Sequence, residues 1–235
     1  MIRLNKYLAN LGLCSRRKAD ELIQQGLIEV NGKVVTELGT QIKSEKVTLR
    51  KKILQLQPPL TYYLLHKPRG VTTSSKRTQT DPKIVLDFVP TQPRIFPVGR
   101  LDKLTTGLLV LTNDGVLAYQ LTHPSFACEK EYEVTLKEPL TLGRERKVLA
   151  GMKLEGVKTQ PVKLQRLSSK RVRVILTEGR NRQIRKIFGK VGCEVTSLKR
   201  IRIQNLRLGN LLPGQYRALT AAEVRAFKKG QKSLP

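Results

Sequence analysis

The sequence has little histidine, little cysteine and little acid, and each shortage removes a class of chemistry. It contains two histidines, His66 and His123, so a metal site would have to be built from carboxylates. Those are scattered and outnumbered, 18 acidic residues against 45 basic ones, so neither a metal nor a metal-dependent reaction is expected. Cys14, Cys128 and Cys193 stand far apart with no C-x-x-C pair, which argues against a disulfide framework or a zinc site and reads as reduced cytosolic thiols. No apolar run approaches the roughly 18 residues that a membrane-spanning helix needs. The opening stretch, Met1-Ile2-Arg3-Leu4-Asn5-Lys6-Tyr7-Leu8, also lacks the apolar core and small-residue cleavage site of a signal peptide. A cytoplasmic location is expected.

What is present in excess is positive charge. A net charge of +27 with a pI near 10.5, spread along the whole chain, calls for a polyanionic partner. Nucleic acid is favoured over anionic membrane, because no basic amphipathic helix is joined to a lipidation signal. At 235 residues and 39% hydrophobic content, the chain has room for one medium domain and one small one.

Residues 1–48 read as the small domain. Leu4, Tyr7, Leu8 and Leu11 follow the spacing of an amphipathic helix, and Ser15 is placed to cap a second helix that Gly26 ends. A hairpin turning on Asn31-Gly32 follows. Arg16, Arg17 and Lys18 fill the first turn of the second helix, where the helix dipole favours acids, so a bound anion is one compensation and a plain solvated basic face is the other. Residues 49–60, basic and then stiffened by Pro58-Pro59, read as a linker.

Residues 61–235 read as the larger domain, with repeated strands and intervening helices of a mixed, largely antiparallel α+β type. Two apolar runs, Ile95 to Val98 and Leu108 to Leu111, flank a polar loop holding Gly99-Arg100-Leu101-Asp102. Asp102 is the only acid between Phe88 and Asn113. A lone carboxylate on a loop held by two core strands suits a nucleophile, although Asp and Gly are also ordinary turn residues. His66 reads as a polar strand-end residue, and the polar loop 72–83 as either a phosphate contact or a solvated connection. Further on, the stretch from Glu178 to Phe188 predicts a helix after a strand, with Ile184, Ile187 and Phe188 in its apolar stripe. Its bases include Arg180, Arg182 and Arg185; either this helix end binds phosphate through its free N–H groups and guanidiniums, or one arginine pairs with a buried carboxylate, for which Asp102 is the choice.

The pattern R-L-N-K-Y-L-A, S-R-R-K-A and V-N-G-K resembles the αL RNA-binding module of a small-subunit ribosomal protein and several RNA enzymes. That resemblance implies that Arg3, Ser15, Arg16, Arg17, Lys18 and Asn31 to Lys33 lie on or near an RNA face. Behind it, G-R-L-D-K-L-T-T-G-L-L-V-L-T-N-D-G, K-E-Y-E-V and E-G-R-N-R-Q-I-R-K-I-F, in that order, resemble the ribosomal pseudouridine synthases of the RsuA type. The fold implied is α+β: a small helical and hairpin RNA-binding module, then a mixed, mainly antiparallel sheet flanked by helices with the active cleft at its centre.

The resemblance also implies roles. Asp102 matches the catalytic aspartate, Arg185 its basic partner, and Tyr132 the residue that stacks on the target base. Arg100 matches the arginine that enters the RNA stack when the base leaves, and Leu176 or Ile184 supplies an apolar contact. Arg180 and Arg182 join the RNA-binding set. The implied reaction detaches uracil from its ribose, turns it and rejoins it through carbon 5, so no cofactor is expected. Unstacking the target costs a few kcal/mol, which Arg100 and Tyr132 would offset. A cationic neighbour such as Arg185 favours the charged carboxylate in a pocket that water leaves. The expected partner is ribosomal RNA or a ribosomal subunit precursor, more readily the large subunit, met by a monomer. The alternatives are an RNA-binding assembly factor without catalysis and a synthase acting on tRNA.

Overall fold

The computed structural model of the protein describes residues 1–50, 52–54 and 58–229. It divides into two compact units: Met1–Thr61 with Thr91–Ile95 and Asn113–Gly115, and the remainder, Tyr62–Pro90, Phe96–Thr112 and the chain from Val116 onward.

In the first unit a short strand β1 (Ile2–Arg3) leads into helix α1 (Leu4–Asn10), followed by α2 (Arg16–Gln24). Ser15 Oγ accepts from the Lys18 backbone N–H at 3.2 Å, which is the cap expected from the sequence. Strands β2 (Ile28–Val30) and β3 (Lys33–Val34) form the hairpin, with Asn31 and Gly32 at φ +50° and +78° as a tight Asn-Gly turn requires. Strand β4 (Gln41–Ile42) pairs with β1. Leu4, Leu8, Ala19, Ile23, Ile28, Ile42 and Val47 close a small core.

The expected linker begins later than residue 49. Strand β5 (Val47–Leu49) pairs with β2 and with β6 (Lys52–Ile53), and Leu54 packs against the small core while its carbonyl accepts from Tyr7 Oη at 3.3 Å. The apolar Leu54 has somewhere to go, and that keeps this stretch on the first unit. Lys51 and residues 55–57, also expected in the linker, lie outside the described residues.

The second unit is built on a nine-stranded sheet. Its strands and helices run β7 (Tyr62–Lys67), β8 (Phe96–Pro97), β9 (Thr106–Thr112), α3 (Gly115–Thr122), β10 (Lys130–Leu136) and α4 (Leu142–Leu149). A small hairpin, β11 (Lys153–Leu154) and β12 (Val157–Lys158), precedes β13 (Lys163–Arg166), β14 (Arg171–Leu176) and α5 (Gln183–Lys190). The chain finishes with β15 (Val195–Ile203), β16 (Leu206–Arg207), β17 (Tyr216–Ala218) and α6 (Ala221–Lys229). The spatial order is β13-β14-β10-β15-β9-β7-β17, with β16 on β15 and β8 on β9.

The pairings are antiparallel except at the middle, where β15 runs parallel to β9 with Lys199 opposite Thr106 and Arg200 opposite Gly107. That close approach needs a glycine. Gly107 sits at φ +108°, and a Cβ there would lie 2.2 Å from the Arg200 carbonyl oxygen. Cores lie on both sides of this junction, one around Val134, Val172, Ile187 and Phe188, the other around Leu64, Leu108, Val110 and Phe227. Each fully buried side chain of this size contributes roughly 1.5–3 kcal/mol.

Helix α5 starts later than the sequence predicts. Residues 179–182 are a loop, because Gln183 is already committed: its side chain accepts from the Arg180 N–H at 3.1 Å and donates to Glu178. Arg182, at φ +51°, turns the chain into the helix.

Candidate active site

Asp102 lies half-buried on the loop between β8 and β9, and its position is set by the chain around it. The Thr105 N–H donates to the Asp102 carbonyl at 2.9 Å and closes a turn. On one side, Thr73 Oγ1 donates to the Leu101 carbonyl at 2.8 Å and accepts from the Leu101 N–H at 3.2 Å. On the other, the Gly70 N–H donates to the Lys103 carbonyl at 2.8 Å, and Lys103 Nζ pairs with Asp81 at 2.8 Å. The polar loop 72–83 is therefore a clamp on the Asp102 loop through at least Thr73 and Asp81.

Beneath the loop sits a residue that sequence reasoning missed. Lys67, at the end of β7, is 0% exposed, and its Nζ donates to the carbonyls of Pro68, Lys103 and Thr105 at 2.9, 3.3 and 2.9 Å. Burial pulls its ammonium down to about 8, with the nearby charge of Asp102 acting in the opposite direction. The signal in the sequence was weak, since lysine at a strand end is ordinarily exposed.

Asp102 opens onto a cleft of about 470 Å³. Arg100, Tyr132, Leu176, Arg180, Arg182 and Ile184 line the same cleft, so most of the site residues expected from separate motifs meet there. Leu176 and Ile184 both reach its wall, each 4% exposed. Arg100 is exposed at the cleft and Tyr132 is half-buried.

Arg185 is placed differently. Its Nη1 donates to the Val195 carbonyl at 2.7 Å, and no direct ion pair joins it to Asp102. The two still sense one another: burial lowers the Arg185 pKa, with Arg182 adding to that and Asp102 opposing it. Arg180 is held by Glu178 at 3.2 Å and by the carbonyls of Val157 and Lys158. Glu178 and Asp102 are the acids lining the cleft, and Glu178 is already occupied.

Two further basic residues of the cleft lie on one face of the sheet with Tyr132. Lys130 precedes it by two positions on β10, and Arg200 sits directly opposite it on β15. His66, on strand β7, bonds the Leu211 carbonyl at 2.7 Å, and burial lowers its pKa, as suits a structural residue.

On the first unit Arg3, Arg16, Arg17, Lys18 and Lys33 are exposed. Arg16 reaches Asn5 at 3.5 Å and Lys18 pairs with Glu21 at 2.6 Å. Ser15 and Asn31 use their side chains in the fold, Ser15 as the helix cap and Asn31 by accepting from the Lys46 N–H at 2.9 Å. Among the described residues no group of three or more His, Cys, Asp or Glu is arranged to hold a metal ion, and no helix is long and apolar enough to cross a membrane.

Comparison with known proteins agrees with this architecture. A family model described as RNA pseudouridylate synthase matches residues 61–190, and the S4 domain model matches residues 2–47. The ribosomal large subunit pseudouridine synthase B of Bacillus subtilis (strain 168) is 42% identical over 236 residues, covering 97% of this chain and 96% of the relative. The dual-specificity RNA pseudouridine synthase RluF of Escherichia coli (strain K12) is 37% identical over 226 residues, covering 95% of this chain and 77% of the relative. A crystal structure of a pseudouridylate synthase superposes with a TM-score of 0.70 at 32% identity, covering 97% of this chain and 100% of that one.

Proposed function

The chain belongs to the RNA pseudouridylate synthase family and carries an S4 domain ahead of the catalytic region, and from that premise we propose that it converts one uridine of large-subunit ribosomal RNA to pseudouridine. The observation that carries the proposal is Asp102 itself: a clamped, half-buried carboxylate without an ion-pair partner among the described residues, in a basic cleft that also holds Tyr132. The large-subunit assignment follows the Bacillus subtilis relative. The same reading has the enzyme work in the cytoplasm as a monomer, on ribosomal RNA or a subunit precursor.

In this reading the target uridine leaves its stack and enters the cleft. Arg100 fills the vacated place in the RNA, and Tyr132 offers the base a new stacking face. Asp102 then either bonds to the anomeric carbon or removes the proton at the neighbouring sugar carbon, and the base departs. Arg185 acts on Asp102 through space rather than by a bond, and the charge of Asp102 in turn opposes the lowering of the Arg185 pKa.

The test is Asp102→Asn with a large-subunit ribosomal RNA transcript. Pseudouridine formation falls to background while RNA affinity stays that of the wild type. Full activity in the variant would sink the assignment of Asp102, and pseudouridine mapping of RNA from cells lacking the protein names the uridine.

A further inference from the structure

Two residues that line the cleft carry buried polar atoms without partners among the described residues. Arg200 is 3% exposed; its Nε donates to the Leu108 carbonyl at 2.8 Å, but its Nη2 is buried with no acceptor among the described residues. Thr105 Oγ1, on the Asp102 loop and in a residue 2% exposed, is likewise buried without a partner. A buried unsatisfied donor costs on the order of 1–3 kcal/mol, and more when it is charged, so two at one cleft point to a polar ligand that completes them. Beside Arg200 stands Lys130, whose Nζ bonds one acceptor, the Cys128 carbonyl at 3.1 Å, although an ammonium carries three donors. Burial lowers the Lys130 pKa, and the like charge of Arg200 adds to that. Among the described residues neither cation forms an ion pair with an acid.

The reaction supplies the missing negative charge. When the bond between N1 and the anomeric carbon breaks, its electron pair stays on N1 and uracil leaves as an anion. The carboxylate charge of Asp102 is consumed at that moment, either in an ester to the anomeric carbon or by the proton it takes from the sugar. Net charge is conserved and passes from the carboxylate to the base. The anion spreads over the two ring carbonyl oxygens. Turning the ring about the axis through N3 and C6 exchanges N1 with C5 and O2 with O4, so an oxygen stands at each carbonyl position before and after the turn. C5 then gives its pair to the anomeric carbon and loses its proton, N1 gains one, and the Asp102 bond or proton is returned.

We infer that Arg200, with Lys130, forms the cationic seat that stabilises the departing uracil anion and holds one carbonyl oxygen on either side of its rotation. This rests on the pseudouridine synthase reading and assigns it a second electrostatic pole besides Asp102. It also selects the base: rotated cytosine would bring its amino group, a donor, against the donors of Arg200.

The experiment measures single-turnover conversion of a large-subunit ribosomal RNA transcript by the full-length protein. Arg200→Met lowers the rate by about 100-fold or more, the effect of losing a preorganised donor, while the RNA dissociation constant is unchanged. Arg200→Lys restores part of the rate. With 5-fluorouridine at the target, whose base is a more acidic leaving group, the ratio of wild-type to Arg200→Met rates for breaking the N1 bond becomes several-fold smaller. A purely structural role would slow both substrates equally, and equal ratios overturn the inference. If Arg200→Met does not fold, Lys130→Met carries the same comparison, since among the described residues the Lys130 ammonium bonds only the Cys128 carbonyl. Wild-type protein that forms no pseudouridine overturns the underlying reading and this inference with it. Wild-type activity together with undiminished Arg200→Met and Lys130→Met overturns the inference alone.

Discussion

Lys67 shows how a single buried charge ties the site to its scaffold. Its three carbonyl acceptors are Pro68, Lys103 and Thr105, two of them on the loop that presents Asp102. Burial lowers its pKa from 10.5 to about 8. Between those values the unfolded chain binds the proton and the folded chain releases it, so the stability contributed by this group rises as pH climbs through the window. Below it both states are charged and the burial cost is constant. Lys67→Met removes that slope. Urea denaturation near pH 7 and near pH 10 should show the wild type gaining on the variant towards the higher pH, and a pH-independent difference would refute the assignment. Neither Lys67 nor Arg200 was legible in the sequence, because a lysine and an arginine in a chain with 45 basic residues read as solvent-facing by default. Only the fold shows which of them are inside.

Among the elements, those with apolar runs were readable. Strands β7 and β9, the cap of α2 and the Asn-Gly hairpin lie where the residue pattern predicts. The G-R-L-D, K-E-Y and Q-I-R motifs led to the right family. Strand β15 was hidden. It carries Lys199, Arg200 and Arg202 among its apolar residues, which blurs the alternation that marks a strand. Of these bases Arg202 is met by acids at the neighbouring strand β10, bonding Glu131 at 2.6 Å and Glu129 at 3.2 Å. The start of α5 was misplaced for a related reason, since the Glu178–Gln183 bond that delays the helix is a side-chain event. The clamp from the 72–83 loop gives a prediction of its own. Thr73→Val keeps the shape and deletes both bonds to Leu101, at a cost of about 1–3 kcal/mol. Single-turnover rate should fall with RNA affinity retained; a weakened affinity with an intact rate would place that loop on the RNA instead.

For the whole molecule, exposed and enclosed arginines stand in different units of a chain whose net charge is +27. Arg16 and Arg17 are exposed on the first unit, whereas Arg200 is enclosed in the second. Replacing Arg16 and Arg17 by alanine should weaken RNA binding and reduce the slope of log affinity against log salt by about 0.7–0.9 for each phosphate that is no longer neutralised. Single-turnover rate at saturating RNA should remain that of the wild type. An unchanged salt slope, measured by binding titrations at several ionic strengths, would take these arginines off the RNA face.

The parallel junction between β9 and β15 has a bearing on when the enzyme becomes an enzyme. The Arg200–Leu108 bond closes 92 residues of chain, and the β15 backbone lies so near that a Cβ at Gly107 would strike it. Long-range parallel pairing is slow to form, because the loop entropy is lost before the pairing rewards it. On the ribosome, β7 and β9 can pair as soon as both have emerged, while the cleft waits for β15. Catalytic competence is thus among the last properties this chain acquires, and a nascent copy that already displays its RNA-binding domain has no finished cleft with which to act.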